Sequence, residues 1–337
     1  MPIRPFLTLF RQKQLGAMVA SNALYKPFYT LSYLAALKTS GLMDMLKDQT
    51  YPFEDLVKIY TNGDGAKSKE ALLAWLQMGC RLRLLRRNGD GYTLRGLAKK
   101  MAQPENDAAL ALSQEVASLH HKLIMETPAK LRAGELWTLG NQDGELTTRS
   151  SRALEAFQLE ALRRYLPKSG PCRLLEIGCG SGIYIKHAIC LNPQLTALGI
   201  ELQQDAANVA LRNILDWGLQ DRAEIEIADI RTMQIDPTFD VATLHNNIYY
   251  FRLDERVAIL SKIRTFLKPS GSFLLTTCCQ GGNPGIEALN LWGASNAEGD
   301  RLPSVGEMVK QLSEAGFMHV NTMRLIPGDS FYAFCAK

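Results

Sequence analysis

The chain has 337 residues, more than one ordinary hydrophobic core accommodates, and its length fits two domains. Hydrophobic residues at 46% and charged residues at 21% are the proportions of a soluble globular protein. With 38 basic against 34 acidic residues the net charge is +4, so no global charge excess argues for a polyanionic partner.

The first stretch is basic and apolar. No acidic residue precedes Asp44, whereas Arg4, Arg11, Lys13, Lys26 and Lys38 are all cationic. An organelle-targeting or membrane-surface helix is one reading. The apolar run over 15–37 is interrupted at Lys26-Pro27 and diluted by Ser21, Asn22, Thr30 and Ser32, which argues against a membrane-spanning helix. A helical arm buried against a partner subunit is the favoured reading. Helical patterning continues to about Gln103. It includes a helix over 69–81 and then Asn88-Gly89-Asp90-Gly91, a tight-turn signal between two short strand-like runs. A helix followed by such a hairpin is the layout of a winged helix. Residues 108–166 read as linking helices, broken at Pro128 and at 140–144.

Residues 173–177 form an apolar run that carries Glu176 and leads into Gly178-Cys179-Gly180-Ser181-Gly182. Glycines at this spacing let the backbone turn sharply and lie close to a ligand, and the following helix, over 183–191, points its N-terminus at it. A second strand, 195–201, ends in Glu201, about 20 residues past the glycines, where an acid can bond both ribose hydroxyls of NAD or of an adenosyl compound. Two features separate those ligands. Glu176 would repel a pyrophosphate but suits a cationic ligand. A third strand, 223–228, ends in Asp229-Ile230, which can bond an adenine amine and pack on its face.

Strands and helices alternate through the remainder, as in a parallel sheet covered on both faces. Helices are expected over 205–217, closed by Gly218, and over 254–267, stopped by Pro269-Ser270-Gly271. Strands are expected over 239–244 and 272–278. Ser304 and Glu307 form a capping box for a helix that ends at Gly316. Residues 320–326 and 331–336 then flank Pro327-Gly328-Asp329 as a terminal hairpin. The seven cysteines form no Cys-x-x-Cys pair and are odd in number, which predicts reduced thiols in a cytoplasmic setting. The five histidines show no metal-like clustering, so no metal is expected.

Taken together, the glycine turn, Glu201 and Asp229-Ile230 resemble the class I S-adenosylmethionine-dependent methyltransferases over roughly 169–337. The stretch 79–101 is similar to the N-terminal domain of small-molecule O-methyltransferases of the hydroxyindole and caffeic-acid type. The resemblance implies an α/β fold: a Rossmann-like, doubly wound, seven-stranded sheet with an antiparallel last strand, preceded by a mainly helical winged-helix domain. It implies a dimerisation domain over 1–105, a helical linker over 106–168 that contributes to the substrate pocket, and a cofactor domain over 169–337. It also implies S-adenosyl-L-methionine as cofactor, held by Glu176, Gly178, Gly180, Gly182, Glu201, Leu202, Asp229, Ile230 and His245. The expected partners are a small-molecule acceptor and a second copy of the chain, with no nucleic acid and no membrane span.

The resemblance fails at the base. The family's histidine lies a few residues before an Asp-Glu pair; placing Asp254-Glu255 on that pair puts Tyr250 where the histidine should be. His245 lies five positions earlier. His245 and Tyr250 are therefore the catalytic candidates, with Asn247, Tyr249 and Trp292 as substrate-binding candidates and Met125, Trp137 and His121 as looser ones. Three explanations compete: His245 acts as base in a shifted geometry, the acceptor is an amine or carbon nucleophile, or Tyr250 and Asn247 hold an already acidic group. O-methylation of a small aromatic metabolite is the leading reading and N- or C-methylation its alternative. Arg81, Arg83, Arg86, Arg87, Arg95, Lys99 and Lys100 leave open a ligand-sensing DNA-binding regulator, and the missing histidine leaves open a fold that has lost catalysis.

Overall fold

The computed structural model describes residues 3–61 and 65–337. It divides into two compact units. One takes in the chain up to His121 together with Gly144–Ala153; the other takes in Lys122–Asp143 and Leu154–Lys337.

The first unit is mainly helical. Its helices Leu15–Thr39, Phe53–Tyr60 and Ala66–Arg81 pack with a small antiparallel sheet of β1 (Tyr51–Pro52), β2 (Leu85–Asn88) and β3 (Gly91–Leu94), in the order β1-β3-β2. Leu37, Leu42, Met43, Leu56, Leu76, Leu85 and Tyr92 form its core. The hairpin turns at Gly89, whose φ of 61° is left-handed. Leu15–Thr39 is one continuous helix with Pro27 inside it. Proline withholds one backbone donor there, from Ala23, and the surrounding turns are exposed, so water can satisfy the freed carbonyl. Phe6, Phe10, Met18, Val19, Leu24, Tyr25, Phe28 and Tyr29 are exposed along the N-terminal helices. Among the described residues no helix is long and apolar enough to cross a membrane.

The second unit is built on a seven-stranded sheet. In chain order its strands are β4 (Cys172–Ile177), β5 (Leu195–Glu201), β6 (Ala223–Ile227), β7 (Phe239–His245), β8 (Leu267–Cys278), β9 (Val320–Arg324) and β10 (Phe331–Ala336). The spatial order is β6-β5-β4-β7-β8-β10-β9. β4 to β8 are parallel, and β10 runs antiparallel to both β8 and β9. The expected terminal hairpin is thus present, with the reversed strand inserted beside β8.

Neighbouring residues on each strand face opposite cores, as the pleat requires. Leu175, Leu198, Leu244 and Phe273 pack with Ile259, Leu260 and Ile263 of helix Leu253–Phe266 and with Met308 and Leu312 of helix Val305–Glu314. Leu174, Ala197, Val241 and Leu274 pack on the other side with Ile185 and Ile189 of helix Ile183–Leu191, Ile214 of helix Gln204–Asp216, and Leu162 of helix Glu155–Tyr165. β8 begins five residues earlier than its periodicity predicts. Phe239 pairs with Leu267 but Val241 with Ser272, so the segment carrying Pro269-Ser270-Gly271 is a bulge within the strand and not a loop before it. Strand order reverses between β4 and β7, and a crevice outside the carboxyl ends of strands at such a switch point is where open α/β sheets bind ligands.

Candidate active site

The turn after β4 is pinned from two sides. Backbone N–H groups of Gly178 and Cys179 both donate to the Ile200 carbonyl of β5, at 2.8 and 3.0 Å. Gly178, Gly180 and Gly182 have φ of 67°, 52° and 75°, a region that side-chain-bearing residues enter only under strain. At Gly178 a Cβ would also overlap the Asn247 amide nitrogen, so glycine is required there for space as well as for conformation.

Glu201 closes the turn. Its Oε2 accepts from the Gly180 N–H at 3.0 Å and its Oε1 from the Gln203 N–H at 3.1 Å. Glu176 behaves differently. It is 1% exposed, and its Oε2 is buried without a hydrogen-bond partner. Burial, reinforced by the nearby Glu201 carboxylate, raises its pKa well above the ordinary carboxylate range. Burial likewise pushes up the Cys179 thiol. A buried carboxyl with an uncommitted oxygen beside a glycine turn is a ready partner for a cation.

Asp229 follows β6, whose next residue, Ala228, donates to the Glu201 carbonyl at 3.0 Å. The Asp229 Oδ1 accepts from the Arg231 N–H at 2.8 Å, with the Arg231 guanidinium 3.5 Å away. Leu202, beside Glu201, is 58% exposed, whereas Ile230 is buried within the sheet core. Leu202 is therefore the apolar surface presented beside the acids.

At the end of β7 the chain turns through Asn246, whose φ of 53° is left-handed, into the 3-10 turn Ile248–Tyr250. His245 lies inside: its Nδ1 pairs with Thr276 Oγ1 at 2.9 Å, its ring lies 4.6 Å from that of Tyr184, and its Nε2 is buried without a partner. Burial lowers its pKa to about 3, which leaves the imidazole neutral and weakly basic. Asn247 donates its amide to the Ile177 carbonyl at 3.0 Å and so clamps the β4 turn, with its Oδ1 buried and unpartnered. Tyr249 is buried and Tyr250 half-buried, with ring centroids 4.7 Å apart. Trp292, on helix Pro284–Ser295, is 2% exposed, with its ring centroid 6.4 Å from that of Trp137; the Trp137 indole donates to Thr127 at 2.9 Å.

The structure therefore brings Glu176, the three glycines, Glu201 and Asn247 into one contiguous cluster. It sets His245 behind them against Tyr184, and it packs Trp292 into the interior. Tyr184 and Thr276, the two groups that hold His245, were not singled out by the sequence. Tyr184 had a readable signal, since it lies two residues beyond Gly182 on the first turn of the helix that leaves the glycine loop. Among the described residues no group of three or more His, Cys, Asp or Glu could hold a metal ion.

Residues 175–273 match a family model described as a methyltransferase domain. The chain has the class I methyltransferase fold. It superposes on the mitomycin 7-O-methyltransferase with a TM-score of 0.79 at 16% identity, covering 97% of this chain and 99% of that one. On human N-acetylserotonin methyltransferase, solved with SAM, the TM-score is 0.71 at 15% identity, covering 95% and 97% of the two chains. By sequence it is 34% identical over 76 residues to an rRNA N(6)-adenosine-methyltransferase of Caenorhabditis elegans, 22% of this chain and 36% of that protein. The chain spans between about a third and a half of the length of the curated relatives it matches.

Proposed function

We propose that the protein is an S-adenosylmethionine-dependent methyltransferase of a small, flat, aromatic metabolite, with a hydroxyl as the leading acceptor. The observation that carries this reading is the glycine turn tied to Glu201 beside the uncommitted carboxyl of Glu176. The turn leaves backbone room for the amino-acid end of the cofactor, Glu176 offers an acceptor for its ammonium, and Glu201 and Asp229 offer acceptors for ribose and adenine. When bound, the cofactor supplies a methyl group on a sulfonium, and the protein's task is to align an acceptor and keep water out.

Glu201 gives the first test. Glu201→Ala should raise the dissociation constant for S-adenosylhomocysteine, measured by calorimetry, by about tenfold or more, the scale of one charge-assisted hydrogen bond. An unchanged constant would remove Glu201 from the site.

The acceptor side supports a second reading. A neutral His245 with a pKa near 3 is a poor base. This favours acceptors that need no strong base, such as amines or already ionised hydroxyls. Transfer from labelled S-adenosylmethionine to matched phenols and anilines separates the readings: faster anilines support nitrogen as the acceptor and faster phenols oxygen.

The N-terminal helices support self-association. They carry exposed apolar residues from Phe6 to Tyr29 on an arm without acids, and exposed apolar surface of this kind is where partners dock. In this reading the unit that carries the hairpin is a winged-helix dimerisation domain, its exposed arginines and lysines are a solvated face, and the protein is cytoplasmic with reduced thiols and no nucleic-acid partner. Light scattering should give a mass near twice 37.5 kDa. A monomer at micromolar concentration would contradict it.

A further inference from the structure

Arg256 is fully buried, and its hydrogen bonds run to backbone carbonyls and not to carboxylates. Nε donates to the Phe251 carbonyl at 3.0 Å and Nη2 to the Arg301 carbonyl at 2.8 Å, while Nη1 is buried without a partner. Burying a guanidinium is expensive, and the charges of Asp300 and Glu307 offset only part of that cost; a well-packed apolar side chain would serve the helix Leu253–Phe266 at least as well. What the arginine adds is a side-chain bridge between two pieces of chain that lie about 50 positions apart in sequence.

One piece is the turn Ile248–Tyr250 with Phe251; the other is the loop after helix Pro284–Ser295. Further bonds stitch the same seam. The Asp300 N–H donates to the Tyr249 carbonyl at 2.9 Å, Asp300 Oδ2 accepts from the Leu253 N–H at 3.1 Å, and Gly299 passes so close to the Tyr249 carbonyl that a Cβ there would overlap it. The loop in turn holds the Trp137 segment, through Ala297 N–H to the Trp137 carbonyl at 2.8 Å and Leu139 N–H to Glu298 at 2.7 Å. Arg256 is the charged centre of a joint that joins the tyrosine turn to the strand-like segment bearing Trp137.

We propose that Arg256 is a positioning residue: it fixes the Tyr249-Tyr250 turn against the 296–301 loop and thereby sets the acceptor-facing geometry of the site. This rests on the reading of the turn as the acceptor's wall. Two variants of the full-length protein test it. Arg256→Met keeps the side chain's length and removes its donors; Arg256→Lys returns one donor. Hydrogen–deuterium exchange should rise by about tenfold in peptides covering 247–253 and 296–302 in Arg256→Met, with the peptide over 183–191 unchanged, and fall back in part in Arg256→Lys. S-adenosylhomocysteine affinity should stay within about twofold of wild type, since Arg256 bonds none of Glu176, Glu201 and Asp229. With 6,7-dihydroxycoumarin as probe acceptor, KM should rise by about tenfold in Arg256→Met, more than kcat falls.

Unchanged exchange in the two peptides would overturn the joint. A fall in kcat with KM unchanged would overturn the positioning role, because loss of folded enzyme alone gives that pattern. A wild-type protein that binds S-adenosylhomocysteine but leaves the coumarin unmethylated counts against the phenol reading, and exchange then decides the joint by itself.

Discussion

Glu176→Gln is expected to weaken S-adenosylhomocysteine binding by roughly ten- to a hundredfold, the scale of a hydrogen bond to a charged group, while leaving the ligand-free protein at least as stable as the wild type. The two effects have one cause. Burial and the Glu201 carboxylate raise the Glu176 pKa, so the folded protein holds that proton at pH values where the unfolded chain has lost it. Between the ordinary carboxylate range and the raised value the folded state binds more protons, so stability falls as pH rises through that window. Glutamine cannot ionise, and the variant should lack that decline. An ammonium placed against Glu176 reverses the preference and expels the proton. Affinity should therefore rise with pH across the same window in the wild type and stay flat in the variant. Calorimetry in buffers of different ionisation enthalpy measures the released proton directly. A wild-type affinity independent of pH, with no proton released, would mean that Glu176 does not face the cation.

Gly178→Ala should be the most damaging single-methyl change in the glycine turn. A left-handed φ costs a non-glycine residue about 1–2 kcal/mol. The added Cβ also meets the Asn247 amide, which must release the Ile177 carbonyl, and an unpaired buried group costs about 1–3 kcal/mol more. Gly180→Ala is the matched control. Its φ of 52° carries the same backbone strain, but nothing lies within 4 Å of its Cβ. Denaturant unfolding should therefore rank wild type above Gly180→Ala and Gly180→Ala above Gly178→Ala. Equal losses in the two variants would show that Asn247 does not clamp the turn.

The parts of the fold written in local pattern were legible in the sequence. β4, its glycine turn and the acids that end the next strands rest on apolar runs and on residues that only a particular backbone tolerates. The capping box of Ser304 and Glu307 and the hairpin around Pro327-Gly328-Asp329 are equally local, and the structure has both. Elements that depend on partners distant in sequence were not legible. The two-residue strand β1 exists because β3 pairs with it, and the early start of β8 exists because β7 offers Phe239 to Leu267.

The same distinction runs through the site. Residue type and spacing brought Glu176, the glycines and Glu201 to attention. The surroundings of His245 and Asn247 were hidden, because each is decided by a residue far away in the chain. Thr276 captures one ring nitrogen of His245 and Tyr184 covers the ring, so the candidate base is a neutral interior group. Ile177 captures the Asn247 amide 70 positions away, so the side chain also clamps the turn after β4.

The most direct test of the central claim is thermal unfolding of the full chain with S-adenosylhomocysteine, with NADH as the contrasting nucleotide. At about 100 times the dissociation constant a ligand adds roughly 2.7 kcal/mol of stability, enough to raise the midpoint visibly. A rise with the adenosyl compound and none with NADH is the expected result. A rise with NADH alone would contradict it and would mean that the turn after β4 receives a pyrophosphate in spite of Glu176.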